Sequence, residues 1–90
     1  MPGRPRPTAA IIGGGVIGSG LATRFLLNCW DVRFFDPSEY AERILHAVIA
    51  RGRAAMPALC DVVPEEGTLT IASSTADAVV GARYIQESTP

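Results

Sequence analysis

Four glycines within six residues form the part of this chain whose residue types and spacing can do chemistry. The pattern G-x-G-x-x-G is carried by Gly13, Gly14, Gly15, Val16, Ile17 and Gly18. In that pattern Gly13 permits a tight turn, Gly15 lets the backbone approach a pyrophosphate, and Gly18 lets a helix pack closely on a strand. Free N–H groups in a first helical turn around Val16 and Ile17 would bind the pyrophosphate of a dinucleotide, assisted by the helix dipole.

Asp36 is the second residue with a predicted chemical role. It lies 18 residues after Gly18, close to the roughly 20 at which an acidic residue accepts hydrogen bonds from an adenosine ribose. A carboxylate there repels a 2′-phosphate, so NAD is favoured over NADP, although the nearby Arg33 and Ser38 keep NADP as the minor alternative. The opposing structural interpretation is that the glycines form only a surface loop and that Asp36 only starts the turn at Pro37.

The elements that must position these residues alternate between strand and helix. In chain order they are a strand at 9–12, a helix at 16–28, a strand at 30–36, a helix from 38 that fails near 51–52, a loop at 56–67, a strand at 68–72, a short helix at 75–80 and a strand at 83–87. Asn28 is the predicted left-handed residue after the first helix, and Ser74 with Asp77 fits a capping box. The first helix is predicted to bury an apolar stripe of Ile17, Leu21 and Phe25, with Ala22 and Leu26 beside them.

This alternation implies parallel strands joined by right-handed crossovers. The predicted fold class is α/β, an incomplete Rossmann-type parallel sheet made of the first mononucleotide-binding half plus one strand. Residues 1–7, with three prolines and two arginines, are predicted to be a disordered leader. Residues 8–90 are predicted to be a partial NAD-binding domain, with the rest of that domain lying beyond Pro90.

Composition excludes several other classes. Eight Lys+Arg, all of them arginine, against nine Asp+Glu argue against a nucleic-acid or anionic-membrane partner, which needs clustered positive charge. The apolar runs are far shorter than the roughly 18 to 20 residues needed to span a bilayer. Cys29 and Cys60 have no metal-ligand spacing, and the single histidine, His46, falls off the apolar face of its helix. We therefore predict no metal site and no catalytic residue in this chain, and a cytoplasmic location.

The chain resembles the start of the L-3-hydroxyacyl-CoA dehydrogenase superfamily over about residues 8 to 90. The resemblance is carried by Ile11 to Gly20, by Arg24 to Leu27, by Asp31-Val32 and Phe35-Asp36-Pro37, and by the ending Tyr84-Ile85-Gln86-Glu87-Ser88-Thr89-Pro90. The Gln-Glu-Ser form of the ending is most like the carnitine-oxidising members. The family usually has glycine where this chain has Cys29, which predicts strain in the turn after the first helix, and an acidic residue where Arg83 stands.

The resemblance implies an NAD-dependent oxidoreductase that converts the 3-hydroxyl of L-carnitine or of an L-3-hydroxyacyl-CoA into a 3-keto group. It implies that residues 13–18 bind the NAD pyrophosphate and that Asp36 binds the adenosine ribose. It also implies that Glu87 and Ser88, at the end of the last strand, lie along the cofactor. The family's catalytic histidine, its carboxylate partner and its substrate-binding helical domain lie beyond Pro90, so the chain alone is expected to be inactive. The full-length protein is expected to be a homodimer acting on a small-molecule substrate.

Two other functions stay open at this level. One is a stand-alone nucleotide-binding or regulatory module without catalysis, because the chain has a phosphate loop but no acid–base pair. The other is an FAD protein, since flavin enzymes use the same glycine loop. Turnover of carnitine or of a 3-hydroxyacyl-CoA by the full-length protein would eliminate the non-catalytic module. A colourless protein that binds NAD would eliminate the FAD protein.

The final strand also predicts the folding behaviour of the 90-residue chain. Tyr84 and Ile85 would lie at an apolar sheet edge without a following crossover, so we expect the chain to be marginally stable or to associate. Its thermal unfolding midpoint should then rise with protein concentration. A sharp transition of a monomer at a midpoint independent of concentration would contradict this expectation.

Overall fold

A computed structural model describes residues 5–88, and its elements follow the predicted alternation. They are β1 (Thr8–Ile12), α1 (Gly15–Leu26), β2 (Asp31–Phe35), α2 (Glu39–Leu59), β3 (Leu69–Ile71), α3 (Thr75–Val79) and β4 (Tyr84–Glu87). The boundaries lie within one or two residues of the predicted ones, except at the end of α2. Every predicted helix and strand in this part of the chain is therefore present.

The four strands form one parallel sheet in the order β3-β2-β1-β4. This is the order of the first half of a doubly wound sheet with one strand of the second half added beside β1. The predicted fold class, an incomplete Rossmann-type α/β sheet, is confirmed. β1 lies in the middle and all four of its residues from Ala9 to Ile12 are buried, as expected for a short apolar run covered on both faces.

The two faces of the sheet carry separate cores. On one face Ile11, Val32 and Phe34 pack under α1 and α2, which contribute Ala22, Leu26, Ala41, Leu45 and Ile49. On the other face Ala10 and Ile12 pack under Ala78 of α3. Neighbouring residues of β1 serve opposite faces because side chains alternate along a strand. Burial of one large apolar side chain contributes about 1.5–3 kcal/mol, so the larger core on the α1 and α2 face supplies most of the stabilisation.

The buried face of α1 differs from the predicted one. The structure buries Gly18, Ser19, Ala22, Thr23 and Leu26. Ile17 is 72% exposed, and Leu21 and Phe25 are only packed against the edge of the core. The stripe prediction was therefore wrong for Ile17. Small residues let α1 lie close to the sheet, and a search for large apolar residues at helical spacing overlooks such a face.

The end of α2 is the main correction to the predicted elements. The helix runs to Leu59, so it does not fail near Arg51-Gly52, and residues 56–59 are helical instead of loop. A Cβ on Gly52 would lie 2.8 Å from Leu27 Cδ1 and 2.8 Å from Thr23 Cγ2. Glycine at this position therefore lets α1 and α2 pack closely and does not end the helix. Pro57 lies in the last turn, where it lacks the N–H that would bond to the carbonyl four residues earlier, and the helix ends two residues after it.

The turn after α1 contains a strained residue. Cys29, not Asn28, is the left-handed residue, with φ 75°. Asn28 instead donates from its Nδ2 to the carbonyl of Arg24 (2.7 Å). The strain expected at the position where the family usually has glycine is thus confirmed, because a left-handed conformation costs a side-chain-bearing residue roughly 1–2 kcal/mol.

The short helix α3 begins as predicted. Ser74 Oγ accepts a hydrogen bond from the N–H of Asp77 (3.1 Å). The Asp77 carboxylate does not complete the reciprocal half of a capping box, since it pairs with the hydroxyl of the neighbouring Ser73. The cap is therefore the one-sided form.

Residues 1–4 of the predicted leader lie outside the described part of the chain. Within that part, the carbonyl of Pro7 accepts a hydrogen bond from the N–H of Asp31 (2.9 Å), and Arg6 forms an ion pair with Glu65 (2.8 Å). The hydrogen bond to Glu65 raises the pKa of the Arg6 guanidinium above its ordinary value. These contacts hold residues 6 and 7 against the sheet, and the leader boundary itself stays a prediction.

Replacing Cys29 with glycine should relieve the strain. We expect Cys29→Gly to raise the free energy of unfolding by about 1 kcal/mol, because glycine adopts a positive φ without steric cost. The matched control is Cys60→Gly, at an extended residue with φ −131°, where added chain entropy should lower stability. Chemical denaturation at one fixed protein concentration measures both, and a destabilising effect of Cys29→Gly would contradict the strain.

Candidate functional site

The glycine run forms the turn between β1 and α1. Gly13 has φ 89° and Gly15 has φ 76°, both in the left-handed region that side-chain-bearing residues rarely adopt. The N–H of Gly13 donates to the carbonyl of Phe35 (2.8 Å), which ties the start of the turn to the end of β2. The backbone conformation therefore requires glycine at two of the positions that the motif specifies.

Gly18 is required by close contact instead of by its dihedral angles. A Cβ at this position would lie 2.2 Å from the carbonyl oxygen of Gly13, far inside van der Waals contact with rigid backbone. Gly14 is also enclosed, since its Cβ would lie 2.7 Å from Ala41 Cβ. Around Gly15, by contrast, nothing lies within 4 Å of the Cβ position. The outer side of the turn is thus open where a ligand would approach.

The first turn of α1 presents unsatisfied N–H groups to this open side. Gly14 is the N-cap and supplies no side-chain cap, and the first turn contains no acidic residue. Val16 and Ile17 are 83% and 72% exposed. The first N–H groups of a helix have no partner within the helix, and the helix dipole adds a partial positive charge there. The arrangement suits an anionic group such as a phosphate.

Asp36 lies beside the turn and connects it to α2. Its Oδ2 accepts a hydrogen bond from the N–H of Gly14 (2.7 Å) and its Oδ1 accepts one from the N–H of Ser38 (2.8 Å). Ser38 Oγ in turn accepts from the N–H of Tyr40 (3.2 Å) and caps α2. A carboxylate has about four lone-pair sites, so two stay available for hydroxyl donors. The role of Asp36 in the turn and a role in binding ribose are therefore compatible.

Glu87 and Ser88 lie at the same edge of the sheet as the glycine turn. Ile12 and Glu87 are register partners of β1 and β4, and the N–H of Ser88 donates to the carbonyl of Ile12 (2.7 Å). Ser88 Oγ is buried and has no hydrogen-bond partner among residues 5–88. The structure thus brings every predicted site residue to one edge, namely residues 13–18, Asp36, Glu87 and Ser88.

Other polar residues that the sequence singled out lie elsewhere. Arg33, the residue that kept NADP open, donates from its Nη1 to the carbonyls of Ala78 and Val80 at the end of α3. His46 is exposed on α2, with Nε2 3.6 Å from the Glu42 carboxylate. Among residues 5–88 no group of three or more His, Cys, Asp or Glu could hold a metal ion, and no helix is long and apolar enough to cross a membrane.

Sequence reasoning missed two residues that shape the site. Ala41 and Phe34 enclose the space beside Gly14 and so fix how closely α2 approaches the turn. Neither has a motif that could reveal it, because their contact depends on how α2 packs across β2. The motif allows any residue at the position of Gly14. Finding glycine there is the one sequence signal that could have suggested a close neighbour.

These features define a class. A parallel sheet with strand order 3-2-1-4, a glycine turn at its first β–α junction and an acidic residue at the end of β2 is the construction of Rossmann-type dinucleotide-binding domains. Comparison with family models and with solved structures yields no match. Comparison with curated proteins yields several.

Several of the matching proteins have names that include L-carnitine dehydrogenase. The chain is 56% identical over 84 residues to an L-carnitine dehydrogenase/betainyl-CoA thioesterase of Ruegeria pomeroyi, which covers 92% of this chain and 17% of that protein. A protein of the same name from Agrobacterium fabrum is 49% identical over 82 residues, covering 90% and 17%. An L-carnitine dehydrogenase of Mesorhizobium japonicum is 47% identical over 83 residues, covering 91% and 23%.

The chain is therefore homologous to L-carnitine dehydrogenases, and the expected resemblance to carnitine-oxidising proteins is confirmed. It spans about a fifth of the length of these three relatives.

The hydrogen bonds of Asp36 predict the effect of an isosteric change. Asparagine offers one acceptor oxygen in place of two, so Asp36→Asn should lose the bond to Gly14 or to Ser38 and lower the free energy of unfolding by about 1–3 kcal/mol. Hydrogen exchange at the Gly14 and Ser38 amides should accelerate. The control is Asp61→Asn, which removes the same charge from an exposed loop. Equal effects of the two substitutions would show that Asp36 does not hold the turn.

Proposed function

We propose that this chain is the NAD-binding region of an NAD-dependent oxidoreductase that oxidises the 3-hydroxyl of L-carnitine to a ketone. The observation that carries the proposal is the joint position of the glycine turn and Asp36 at one sheet edge, in a chain homologous to proteins named L-carnitine dehydrogenase. An L-3-hydroxyacyl-CoA is the second substrate that the sequence resemblance left open, and the names of the relatives favour carnitine.

The pyrophosphate would bind at the first turn of α1. The N–H of Gly14 is already used by Asp36, so the donors that stay free are those of Gly15, Val16 and Ile17. The missing Cβ of Gly15 and the open space around it allow a phosphate to come close to these donors. Binding would rest on backbone N–H groups and the helix dipole, which is consistent with the absence of lysine from the chain.

Asp36 would bind the adenosine ribose and select NAD. The two lone-pair sites not used by Gly14 and Ser38 can accept hydrogen bonds from the 2′- and 3′-hydroxyls. A 2′-phosphate in that place would face a carboxylate at close range. Arg33 cannot offset this repulsion from its observed position, since its guanidinium is held at the carbonyl end of α3. The arrangement therefore supports NAD over NADP.

Glu87 and Ser88 would line the cofactor on the other side of the turn. The buried Ser88 hydroxyl needs a hydrogen-bond partner, because an unpaired buried donor costs about 1–3 kcal/mol. A cofactor oxygen or a bound water molecule at the carboxyl end of β1 would supply that partner. These two residues lie where the strand ends of a doubly wound sheet meet their ligand.

The chemical step needs a base that this part of the protein does not offer. Bound NAD would accept the hydride from the substrate carbon while a base removes the hydroxyl proton. His46, the single histidine of the chain, is exposed on α2 and lies beside Glu42, away from the glycine turn. We infer that the base and the substrate pocket belong to the part of the relatives' sequence that lies outside the matched segment. A cytoplasmic homodimer stays our prediction for such a longer protein.

Calorimetric titration of the chain with NAD, NADP and FAD tests the cofactor assignment. NAD should bind, NADP should bind more weakly, and FAD should not bind. Loss of the ribose contacts in Asp36→Ala should weaken NAD binding about tenfold or more, since a hydrogen bond to a charged group is worth about 1.5–3 kcal/mol. Glu39→Ala removes a nearby exposed carboxylate and should change nothing. A yellow, FAD-loaded protein, or unchanged NAD affinity in Asp36→Ala, would refute the assignment.

A further inference from the structure

The helix α1 has two apolar sides, and the sheet covers only one of them. Ala22 and Leu26 face the sheet and are buried. Ile17, Leu21 and Phe25 follow one another at intervals of four residues and so lie one above the other on the helix surface. Ile17 is largely exposed and the other two are only partly buried. The second side is therefore an apolar stripe that the core covers only in part, since Leu21 and Phe25 pack against its edge.

Aromatic residues extend this stripe to the edge of the sheet. The Phe25 ring packs against Trp30, with ring centres 4.7 Å apart, and against Tyr84 of β4, with ring centres 5.0 Å apart. Tyr84 is still 38% exposed. A groove of about 300 Å³ opens here, lined by Leu21, Arg24, Phe25, Asn28 and Trp30. We call the surface formed by Leu21, Phe25, Trp30 and Tyr84 the α1 flank.

The handedness of parallel sheets shows that added strands would leave the α1 flank open. The crossovers from β1 to β2 and from β2 to β3 contain α1 and α2, which both cover one face of the sheet. The crossover from β3 back across the sheet to β4 contains α3, which covers the opposite face. A further strand beside β4 would extend the sheet in the same direction as the step from β3 to β4. Its right-handed crossover would therefore lie on the same face as α3. That crossover would cover Ile85, the register partner of Ala10, but not Tyr84 on the α1 face.

We propose that the α1 flank is the docking surface for an amphipathic helix from the region that follows the dinucleotide-binding sheet in the longer protein. The chain spans 17% to 23% of the three relatives described above, so a protein of their length has further sequence that can supply this helix. A groove along α1 and the turn that follows it fits another helix, which would place apolar side chains on Phe25 and Trp30.

The rim of the groove specifies the charge of this helix. Arg24 is exposed on the rim and forms no ion pair with a carboxylate among residues 5–88. An acidic side chain beside the apolar anchors would pair with Arg24. The docked helix is therefore predicted to carry Asp or Glu at the position that faces the carboxyl-terminal half of α1.

The test compares the isolated chain with a chimera in which it replaces the matched segment of the Ruegeria pomeroyi relative. Both native cysteines are first replaced, by C29G and C60S, so that a single thiol can be introduced. R24C places this thiol on the rim of the groove, and R51C, the control, places it at an exposed position of α2. Maleimide labelling of each thiol is followed by peptide mass spectrometry without NAD, so that cofactor binding does not enter the result. Failure of the proposed NAD site would leave this readout unchanged.

The docked helix should protect the R24C thiol in the chimera and not in the isolated chain. We expect labelling about tenfold slower, the ratio for an opening free energy of about 1.4 kcal/mol, while the R51C thiol reacts equally in both proteins. Adding Leu21→Glu should restore fast labelling of the R24C thiol in the chimera. Equal labelling in chimera and isolated chain would overturn the proposal. Protection that grows with concentration in the isolated chain would also overturn it and would assign the flank to a second copy.

Discussion

The close approach of Gly18 to the carbonyl of Gly13 is the contact on which the remaining structure depends. No side chain fits between them, since even a methyl group would lie 2.2 Å from the oxygen. The contact brings the start of α1 directly onto the end of β1, so that its first N–H groups open at the carboxyl edge of the sheet. It also lets the small residues of α1 pack on the strands, which turns Ile17 outward. One steric constraint thus produces both the candidate phosphate site and the apolar stripe on the outside of α1.

Asp36 transmits that arrangement to the second helix. Its carboxylate accepts hydrogen bonds from the backbone of the turn and from the backbone before α2, so it links the two loops at the ends of β1 and β2. Nearer the carboxyl-terminal ends of the helices, the missing side chain of Gly52 lets α2 lie against Thr23 of α1 and against Leu27, which directly follows α1. The helix pair is therefore fixed at both ends, by hydrogen bonds near the candidate site and by close packing away from it. This rigidity suits a site whose donors are backbone groups, because such donors cannot adjust by side-chain rotation.

The two faces of the sheet differ in what they still need. On the α3 face, the exposed apolar residues lie where the crossover to a further strand would run, so the doubly wound topology accounts for them. On the α1 face, the topology provides no such cover for the partly exposed Tyr84 and for the aromatic ring of Phe25 that packs against it. The same chain thus brings the candidate site residues together at one edge of the sheet and leaves apolar side chains exposed on its exterior. This is the pattern expected if cofactor binding is local to the first half of the sheet and catalysis requires the region beyond it.

The sequence by itself determined the order of the elements, the parallel sheet, the glycine turn and the place of Asp36, because each depends on local periodicity or on a residue type with one conformational role. Homology to carnitine dehydrogenases could also be read from the residues of the first turn and the last strand. Only the tertiary structure decided where α2 ends, which side of α1 is buried and where Arg33 binds. Glycine ends many helices, but Gly52 instead lets two helices touch. Ile17 has the periodicity of a core residue, but smaller neighbours on α1 occupy the core. Such outcomes depend on the distance between elements that are remote in sequence, and no local pattern specifies that distance.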